Sequence, residues 1–255
     1  MVEIVFLGVG EAFDENLPNT SVLVKAKNGG SNATLLLDCG FTAPPQFWEE
    51  GMHVDALDAV WISHFHGDHF FGVPALLVRF MEEGRRKEIT FLGQKGIDDF
   101  IRKSLDLAYP NFLKKLPFTL NFLEIEPGTD AKFLDINLRT AESSHPQRDL
   151  ALRVDWHDHS IYYSGDGSPT SESIVLAEGC ELIIQEAFEL EHNIFGHGNV
   201  TGSIDLAKRC KSPNLALVHI NREKRKNLTN NLNKYKMMAG GVNIFVPEPG
   251  DKIAL

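Results

Sequence analysis

The stretch SHFHGDHFFG, at residues 63–72, constrains this chain more than any other, because it gathers three histidines around one aspartate. It follows DAVWIS, which reads as a buried strand, and precedes VPALLVRFMEEG, which has the pattern of an amphipathic helix. If the backbone stays extended after the strand, His64 and His66 point to the same side, and Asp68 and His69 emerge from the following turn. Imidazoles and a carboxylate at this spacing predict a metal site, with two histidines on one ion and the aspartate and third histidine on another.

Strand and helix patterns are interleaved along the chain without a flexible linker. VEIVFL, TSVLVKA and ATLLLDC form an early group of strands, and INLRTAE, LALRVDW and SIYYSG form a later one. They predict two β-rich layers with helices outside, built as one domain over residues 1–255. FLGVGEAF, after the first strand, has Phe13 where a dinucleotide-binding loop has its third glycine, and a loop pattern follows. We therefore reject a nucleotide cofactor.

Charge and composition limit the partners. The chain has 35 acidic and 25 basic residues, a net charge of −10, which argues against a nucleic-acid-binding surface. Two basic runs, residues 85–87 and 222–226, read as solvated loops. The three cysteines are too widely spaced for a disulfide framework or zinc knuckle, the opening MVEIVFLGVGEAF lacks a signal-peptide pattern, and no apolar run could cross a bilayer. We expect a cytoplasmic protein without a membrane partner.

HFHGDH resembles the signature of the metallo-β-lactamase superfamily, a family of dinuclear metallohydrolases, and other segments resemble that family in the same order. These segments are LLLDCG at 35–40, SSHPQRDLALRV at 143–154, IYYSGDGSPT at 161–170, ALVHIN at 216–221 and the closing VPEPGDKIAL. The resemblance covers essentially the whole chain. It implies an α+β fold, the four-layer αβ/βα sandwich, in which two mixed β-sheets are flanked by helices.

The resemblance also implies a ligand set for two divalent metal ions, with zinc preferred and manganese or iron as alternatives. The first ion would be bound by His64, His66 and His145, the second by Asp68, His69 and His219, and Asp166 would bridge the two. Asp68 would also orient, or take a proton from, a hydroxide shared by the ions. Asp38 is either a support for a ligand histidine or a turn residue at the end of its strand.

Within the superfamily, SGDGSP and IIQEAF followed by GHGNVTGSIDLAKRC resemble the ribonuclease Z-like and related phosphodiesterase group. The resemblance implies that Glu186 and His197 act as a proton shuttle, with His192 as a competitor for the second role. Residues 198–199 are Gly-Asn where serine and threonine are expected after that histidine. Thr201 is the predicted N-cap of the helix that follows.

The length of the segment between two candidate ligands limits the size of the expected substrate. His145 and Asp166 are separated by two short strands and a turn, so the long arm with which ribonuclease Z enzymes grip transfer RNA is absent. With the acidic charge, this favours a small phosphodiester, such as a cyclic nucleotide, or a short oligonucleotide. Substrate choice is expected to lie in loops such as 106–118.

Other functions stay open at this point. One is hydrolysis of sulfate esters, thioesters, lactones or β-lactams in the same fold, and another is processing of transfer RNA 3′ ends. A third is a redox or noncatalytic role, against which His66 argues, because diiron redox members of the superfamily carry a glutamate at that position. A homodimer is also left open.

Overall fold

Two mixed β-sheets form the centre of the molecule. The structure is a computed structural model that describes residues 1–28 and 30–255. In this part of the chain, the strands of the first sheet are β1 (Val2–Gly8), β2 (Ser21–Asn28), β3 (Ser31–Leu37), β4 (Ala59–Ile62), β5 (Ile89–Gly93), β6 (Leu120–Glu124) and β14 (Lys252–Ala254). They lie in the order β14-β1-β2-β3-β4-β5-β6. Pairing is antiparallel from β14 to β3 and parallel from β3 to β6.

The second sheet repeats this arrangement. Its strands are β7 (Ala131–Phe133), β8 (Ile136–Ser143), β9 (Asp149–Trp156), β10 (His159–Tyr163), β11 (Leu182–Glu186), β12 (Asn214–Val218) and β13 (Asn243–Phe245). They lie in the order β13-β12-β11-β10-β9-β8-β7, antiparallel from β7 to β10 and parallel from β10 to β13.

Helices cover the outer face of each sheet. They are α1 (Ala43–Glu49), α2 (Gly67–Phe70), α3 (Val73–Glu82), α4 (Ile97–Ala108), α5 (Ser171–Ala177), α6 (Val200–Arg209), α7 (Arg222–Asn230), α8 (Leu232–Ala239) and a short 3₁₀ helix, Phe112–Lys115. Helices α1, α3 and α4 pack on the first sheet, and α5, α6 and α8 on the second. Among the described helices, all are too short to cross a membrane.

The alternation of side chains along each strand builds three apolar layers. On β3, Leu35 and Leu37 face the layer between the two sheets, and Leu36 faces the helices. Trp61 and Trp156 are almost fully buried in the central layer. The order helix, sheet, sheet, helix is the four-layer αβ/βα sandwich that the sequence predicts, and that prediction is confirmed.

The basic runs are solvated loops only in part: Arg86 and Lys87 are exposed in a loop, but the prediction is wrong for Arg85 and for residues 222–226, which are helical. Arg85 is completely buried. Its guanidinium donates hydrogen bonds to the backbone carbonyl groups of Val54, Leu57, Lys87 and Glu88. An arginine can be buried in this way because four of its five N–H donors find carbonyl acceptors.

The second basic run, residues 222–226, forms the first turns of α7. Asn221 caps this helix by accepting a hydrogen bond from the backbone N–H of Glu223 at 3.0 Å. Arg225 is buried and donates to the carbonyl oxygen of Pro247 at 2.6 Å. This contact fastens α7 to the segment that leads into β14.

The strand ends decide where polar side chains collect. In each sheet the carboxyl ends of neighbouring parallel strands meet at one edge, so the residues after β3, β4, β10, β11 and β12 come together. The backbone N–H of His219, just after β12, donates to the carbonyl of Val9, just after β1 of the first sheet, at 2.9 Å. The edges of the two sheets therefore face each other at this point.

Candidate metal centre

The loop after β4 presents imidazoles and a carboxylate within one turn. His66 is still extended, with φ −76° and ψ 147°, and α2 begins at the next residue. His64 Nε2 and His66 Nδ1 lie 3.0 Å apart. Asp68 and His69 are buried in α2, and His69 Nε2 lies 3.2 Å from Asp68 Oδ2. The backbone therefore turns where the spacing of the motif predicts.

A first group of ligand atoms joins the two sheets. His145, which follows β8, has its Nε2 3.1 Å from Nδ1 of His66. Its Nδ1 lies 2.9 Å from the carbonyl oxygen of Gly196, which can only accept, so Nδ1 carries the proton and Nε2 keeps a free lone pair. With His64 and Asp166, these residues offer ligand atoms that all lie within 4.8 Å of one another.

A second group lies beside the first and shares one residue with it. His219 Nε2 lies 3.4 Å from Asp68 Oδ2, and His219 Nδ1 lies 3.1 Å from Asp166 Oδ1. His69 completes this group, and its ligand atoms again fall within 4.8 Å of one another. His219 adopts φ 52°, a left-handed backbone conformation that is uncommon outside glycine and is found at functional sites.

Asp38 holds one ligand histidine in orientation. Its Oδ2 accepts hydrogen bonds from the hydroxyls of Ser63 at 2.8 Å and Tyr163 at 2.7 Å, and lies 2.8 Å from His69 Nδ1. Because Nδ1 of His69 is engaged there, Nε2 faces the cluster. Tyr163 belongs to the second sheet, so this carboxylate also ties the sheets together. Both readings of Asp38 from sequence fit the structure, because Asp38 contacts His69 and also follows β3 directly with φ 59°. That His69 is a metal ligand stays a prediction.

Asp149 plays the matching part for His64, and the sequence reasoning missed it. Asp149 is fully buried at the start of β9, and its Oδ1 lies 3.1 Å from His64 Nδ1. The same oxygen accepts from the backbone N–H of Asp166 at 3.3 Å. A Cβ at Gly165 would overlap this carboxylate, so only glycine fits there. The sequence feature that could have indicated this role is an acidic residue directly before the buried strand LALRV.

We expect Asp149→Ala to weaken metal binding by about 10- to 100-fold, the usual effect of losing the carboxylate that orients a ligand histidine. Asp149→Asn should lose less metal affinity, because its amide oxygen can still accept a hydrogen bond from His64 Nδ1. Affinity is measured by competition with a chromogenic chelator, on protein whose circular dichroism matches the wild type. Asp158→Ala, in the exposed turn between β9 and β10, serves as the control. Wild-type affinity in Asp149→Ala would contradict the assignment.

The electrostatics of the cluster suit metal binding. Burial, followed by the nearby charge of His69, holds the pKa of His64 well below its usual value, so its imidazole is neutral. Burial would raise the pKa of Asp68, but hydrogen bonds from His219 and His69 lower it below its usual range. Burial likewise opposes ionisation of Asp166, and the charge of His219 overcomes it and lowers the pKa. Neutral imidazoles and ionised carboxylates are the protonation states in which these groups bind metals. Burial would lower the pKa values of His69 and His219, but the carboxylates of Asp38 and Asp166 raise them, so a metal ion has to displace a proton from each of these two imidazoles.

Several buried ligand atoms lack hydrogen-bond partners, which tests whether metal ions fit. Within the described part of the chain these atoms include His69 Nε2, His219 Nδ1, Asp166 Oδ1 and His197 Nδ1. Nitrogen and oxygen approach to 3.1 Å in this cluster without the geometry of a hydrogen bond. Buried polar atoms are rarely left unpaired. Their convergence on common points fits bound cations.

His197 lies at the edge of the cluster, and Glu186 lies behind it. His197 Nδ1 is 3.1 Å from Asp166 Oδ1 and 3.7 Å from Glu186 Oε1. Glu186 is fully buried and accepts hydrogen bonds from the backbone N–H groups of Phe188 and Gly198, the two ends of the loop that carries His197. The His197 ring stacks on Phe188, with centroids 4.8 Å apart. Glu186 therefore fixes the loop more directly than it fixes the imidazole.

The helix after His197 is capped by Asn199, not by Thr201, so the predicted cap is wrong. The Asn199 side chain accepts from the backbone N–H of Gly202 at 2.7 Å, and α6 begins at Val200. Asparagine and threonine both cap helices through a side-chain oxygen. The departure from the expected serine and threonine therefore leaves the helix start intact.

The ligand groups open into a cavity of about 700 Å³. It is lined by Glu11, Ala12, Phe13, Phe41, His66, Gly67, Asp68, Phe71, His145, Pro146, Asp166, Phe188, His197, His219, Asn221 and Arg222. His192, the competitor of His197, is exposed and lies outside it. Residues 106–118 are absent from the described lining, because the 3₁₀ helix there packs on the outer face of the first sheet. That loop is thus wrongly predicted to shape the site.

Comparison with known protein families shows which family the chain belongs to. Residues 2–240 match the model of a family described as Anti-Pycsar protein Apyc1. The chain belongs to the Anti-Pycsar protein Apyc1 family. The match spans the strand ends and loops that carry both ligand groups, so the candidate metal centre lies inside the region that defines the family.

The chain is also similar in sequence to individual proteins named ribonuclease Z. The chain is 33% identical over 156 residues to ribonuclease Z of Listeria innocua, covering 60% of the chain and 49% of that protein. It is 26% identical over 272 residues to ribonuclease Z of Picrophilus torridus, covering 85% of each. The chain thus spans about half the length of the Listeria relatives that it matches.

A solved structure supports the fold. The metallo-β-lactamase fold protein YhfI from Bacillus subtilis superposes with a TM-score of 0.79 at 20% identity, over 100% of both chains. Together with the similarity to ribonuclease Z proteins, this supports the prediction that the chain belongs to the metallo-β-lactamase superfamily. The residue clusters support binding of divalent metal.

Proposed function

We propose that the chain is a metal-dependent hydrolase of small phosphodiesters, such as cyclic nucleotides, or of short oligonucleotides. The observation that carries the proposal is that two groups of ligand atoms share Asp166 at one cavity. His64, His66 and His145 would hold one ion, Asp68, His69 and His219 the other, and Asp166 both. Zinc suits this mixture of imidazoles and carboxylates best.

The chain's own groups supply the proton transfers. Two divalent ions, when bound, polarise the phosphoryl oxygens and lower the pKa of a water molecule toward neutrality. Asp68, ionised and lining the cavity, can orient that water and accept its proton. Burial disfavours the charged form of His197, but the nearby carboxylates of Asp166 and Glu186 outweigh it and raise its pKa to about 10. A protonated His197 can then donate to the leaving oxygen.

The size and charge of the molecule favour a small substrate. A cavity of about 700 Å³ is in the range of small-ligand sites and accommodates a nucleotide. The net charge of −10 repels a long polyanion, because nucleic-acid binding rests on Lys and Arg that neutralise phosphates. β8 and β9 are joined by residues 144–148 and β9 and β10 by residues 157–158, which leaves no room between His145 and Asp166 for a transfer-RNA-binding arm.

Transfer RNA 3′-end processing is the second candidate. It is favoured by the Picrophilus torridus protein named ribonuclease Z, whose similarity extends over 85% of both chains. Hydrolysis of sulfate esters, lactones or other non-phosphate substrates would use the same ligand set. It can be distinguished from phosphodiester hydrolysis only by measuring turnover of each kind of substrate.

Metal-loaded protein is expected to hydrolyse bis-p-nitrophenyl phosphate and cyclic nucleotides, and to show little sequence discrimination toward RNA. The physical reason is a small cavity without an extended basic surface. Release of p-nitrophenolate and loss of cyclic nucleotide are followed beside a p-nitrophenyl sulfate, a lactone and a precursor transfer RNA. Efficient, site-specific cleavage of the precursor with no turnover of small diesters would favour the ribonuclease Z role instead. Turnover of only the sulfate or lactone would refute a phosphodiesterase.

A further inference from the structure

The mouth of the cavity carries three exposed phenylalanines that the proposed chemistry does not use. Phe13 is 77% exposed, Phe41 49% and Phe71 54%, and all three line the cavity. Each ring offers about 150–250 Å² of mostly apolar surface, which is costly to leave in water. Apolar groups gathered at one concave site mark a contact surface.

Two of the rings lie on backbone that contacts or belongs to the loop with the candidate metal ligands. A Cβ at Gly40 would overlap the carbonyl oxygen of Asp68, so the backbone that leads into Phe41 touches the ligand loop. A Cβ at Gly67 would come within 2.6 Å of Cδ2 of Phe71, so the Phe71 ring lies over the backbone between His66 and Asp68. These glycines let aromatic rings approach the candidate reaction centre closely.

The third ring is held by a buried carboxylate. Glu11 is 2% exposed, and its Oε2 accepts a hydrogen bond from the backbone N–H of Phe13 at 2.8 Å. Its other oxygen pairs with the guanidinium of Arg222, which also lines the cavity. Among the described residues, Phe13 and Phe41 have no aromatic ring partner. The backbone at Phe13 is fixed while its ring face stays free.

We propose that Phe13, Phe41 and Phe71 form a stacking subsite for a planar ring of the substrate, a nucleobase, while the phosphodiester lies at the ligand groups. The inference rests on the proposed phosphodiesterase function, which already includes cyclic nucleotides, and assigns the residues that contact the base. Stacking accepts every base, because each base has a π-face. The subsite therefore binds purine and pyrimidine nucleotides alike.

The test compares two diesters with the same leaving group: thymidine 5′-(p-nitrophenyl phosphate) and methyl p-nitrophenyl phosphate. Phe71→Ala and Phe13→Ala should each lower kcat/KM for the nucleoside ester by roughly 5- to 150-fold, the span measured for losing a base-stacking aromatic. The methyl ester has no ring outside the leaving group, so its kcat/KM should change by less than about twofold. Phe71→Tyr keeps the π-face and should retain the preference for the nucleoside ester.

Phe195→Ala is the matched control, because Phe195 is 82% exposed and is not part of the cavity lining. It should leave both rates unchanged. Equal losses for both esters, or no loss for the nucleoside ester, would overturn the subsite while leaving phosphodiesterase activity standing. Absence of turnover of either ester by the wild type would overturn the proposed function itself. A fall in sedimenting mass from dimer to monomer in the alanine variants, without a change in ester preference, would assign the rings to a second copy of the chain.

Discussion

Asp166→Ala is expected to remove both metal ions together and to reduce diester hydrolysis to background. Asp166 is 3% exposed and belongs to both ligand groups, with Oδ2 3.8 Å from Nε2 of His145 and of His69. Its loss takes one anionic ligand from each ion and also the negative charge that offsets two adjacent cations. Metal content after equilibration with zinc and gel filtration should fall from two ions per chain to fewer than one.

The matched control is Asp205→Ala, which removes a carboxylate from the exposed face of α6. It should keep two ions and full activity. His145→Ala provides a contrast, since His145 belongs to the first ligand group only and its loss should spare the second ion. If Asp166→Ala retains one ion with wild-type affinity, Asp166 does not bridge the two sites.

His197→Ala is expected to keep both metals and the fold while lowering turnover by about 10²–10⁴-fold, the range for loss of a general acid. The loss should be largest for substrates with a poor leaving group, such as a cyclic nucleotide, and smaller for p-nitrophenyl esters, because p-nitrophenolate needs little protonation. The physical basis is a half-buried imidazole at the cavity wall, which stacks on Phe188 and is carried by a loop that Glu186 anchors through backbone hydrogen bonds.

His192→Ala is the control for this variant, because His192 lies on the same loop, is exposed and is outside the cavity. It should behave as the wild type. Equal losses in His197→Ala for good and poor leaving groups would rule out proton donation. Loss of one metal ion from His197→Ala would show that His197 is a ligand, as its place in a third group with Asp166, Glu186 and His219 allows.

The fold could be read from the sequence because its signals are local and periodic. The apolar run in ATLLLDC predicts a strand, and β3 has Leu35 and Leu37 in one apolar layer and Leu36 in another. The loop with the candidate ligands could also be predicted from the sequence, because its four residues lie within six positions: His64, His66, Asp68 and His69. His145, Asp166 and His219 needed the order of family segments, because each alone resembles an ordinary loop or core residue.

The features that sequence reasoning missed depend on distant partners. Arg85 resembles a surface residue until carbonyl groups from residues 54 and 57, far away in the chain, surround its guanidinium. Asp149 resembles the polar start of a strand until His64 of the other sheet comes within 3.1 Å. No periodicity in a single sequence encodes such contacts, because they arise only when the two sheets pack.

The most direct test of the account is a zinc titration of metal-free protein in which bound metal and the initial rate of bis-p-nitrophenyl phosphate hydrolysis are measured together. The shared Asp166 and the two ligand groups predict that binding saturates at two ions per chain and that full activity is reached only with the second. Manganese and iron titrations under the same conditions identify the preferred ion. Saturation at one ion, or diester hydrolysis that does not depend on added metal, would contradict a dinuclear phosphodiesterase.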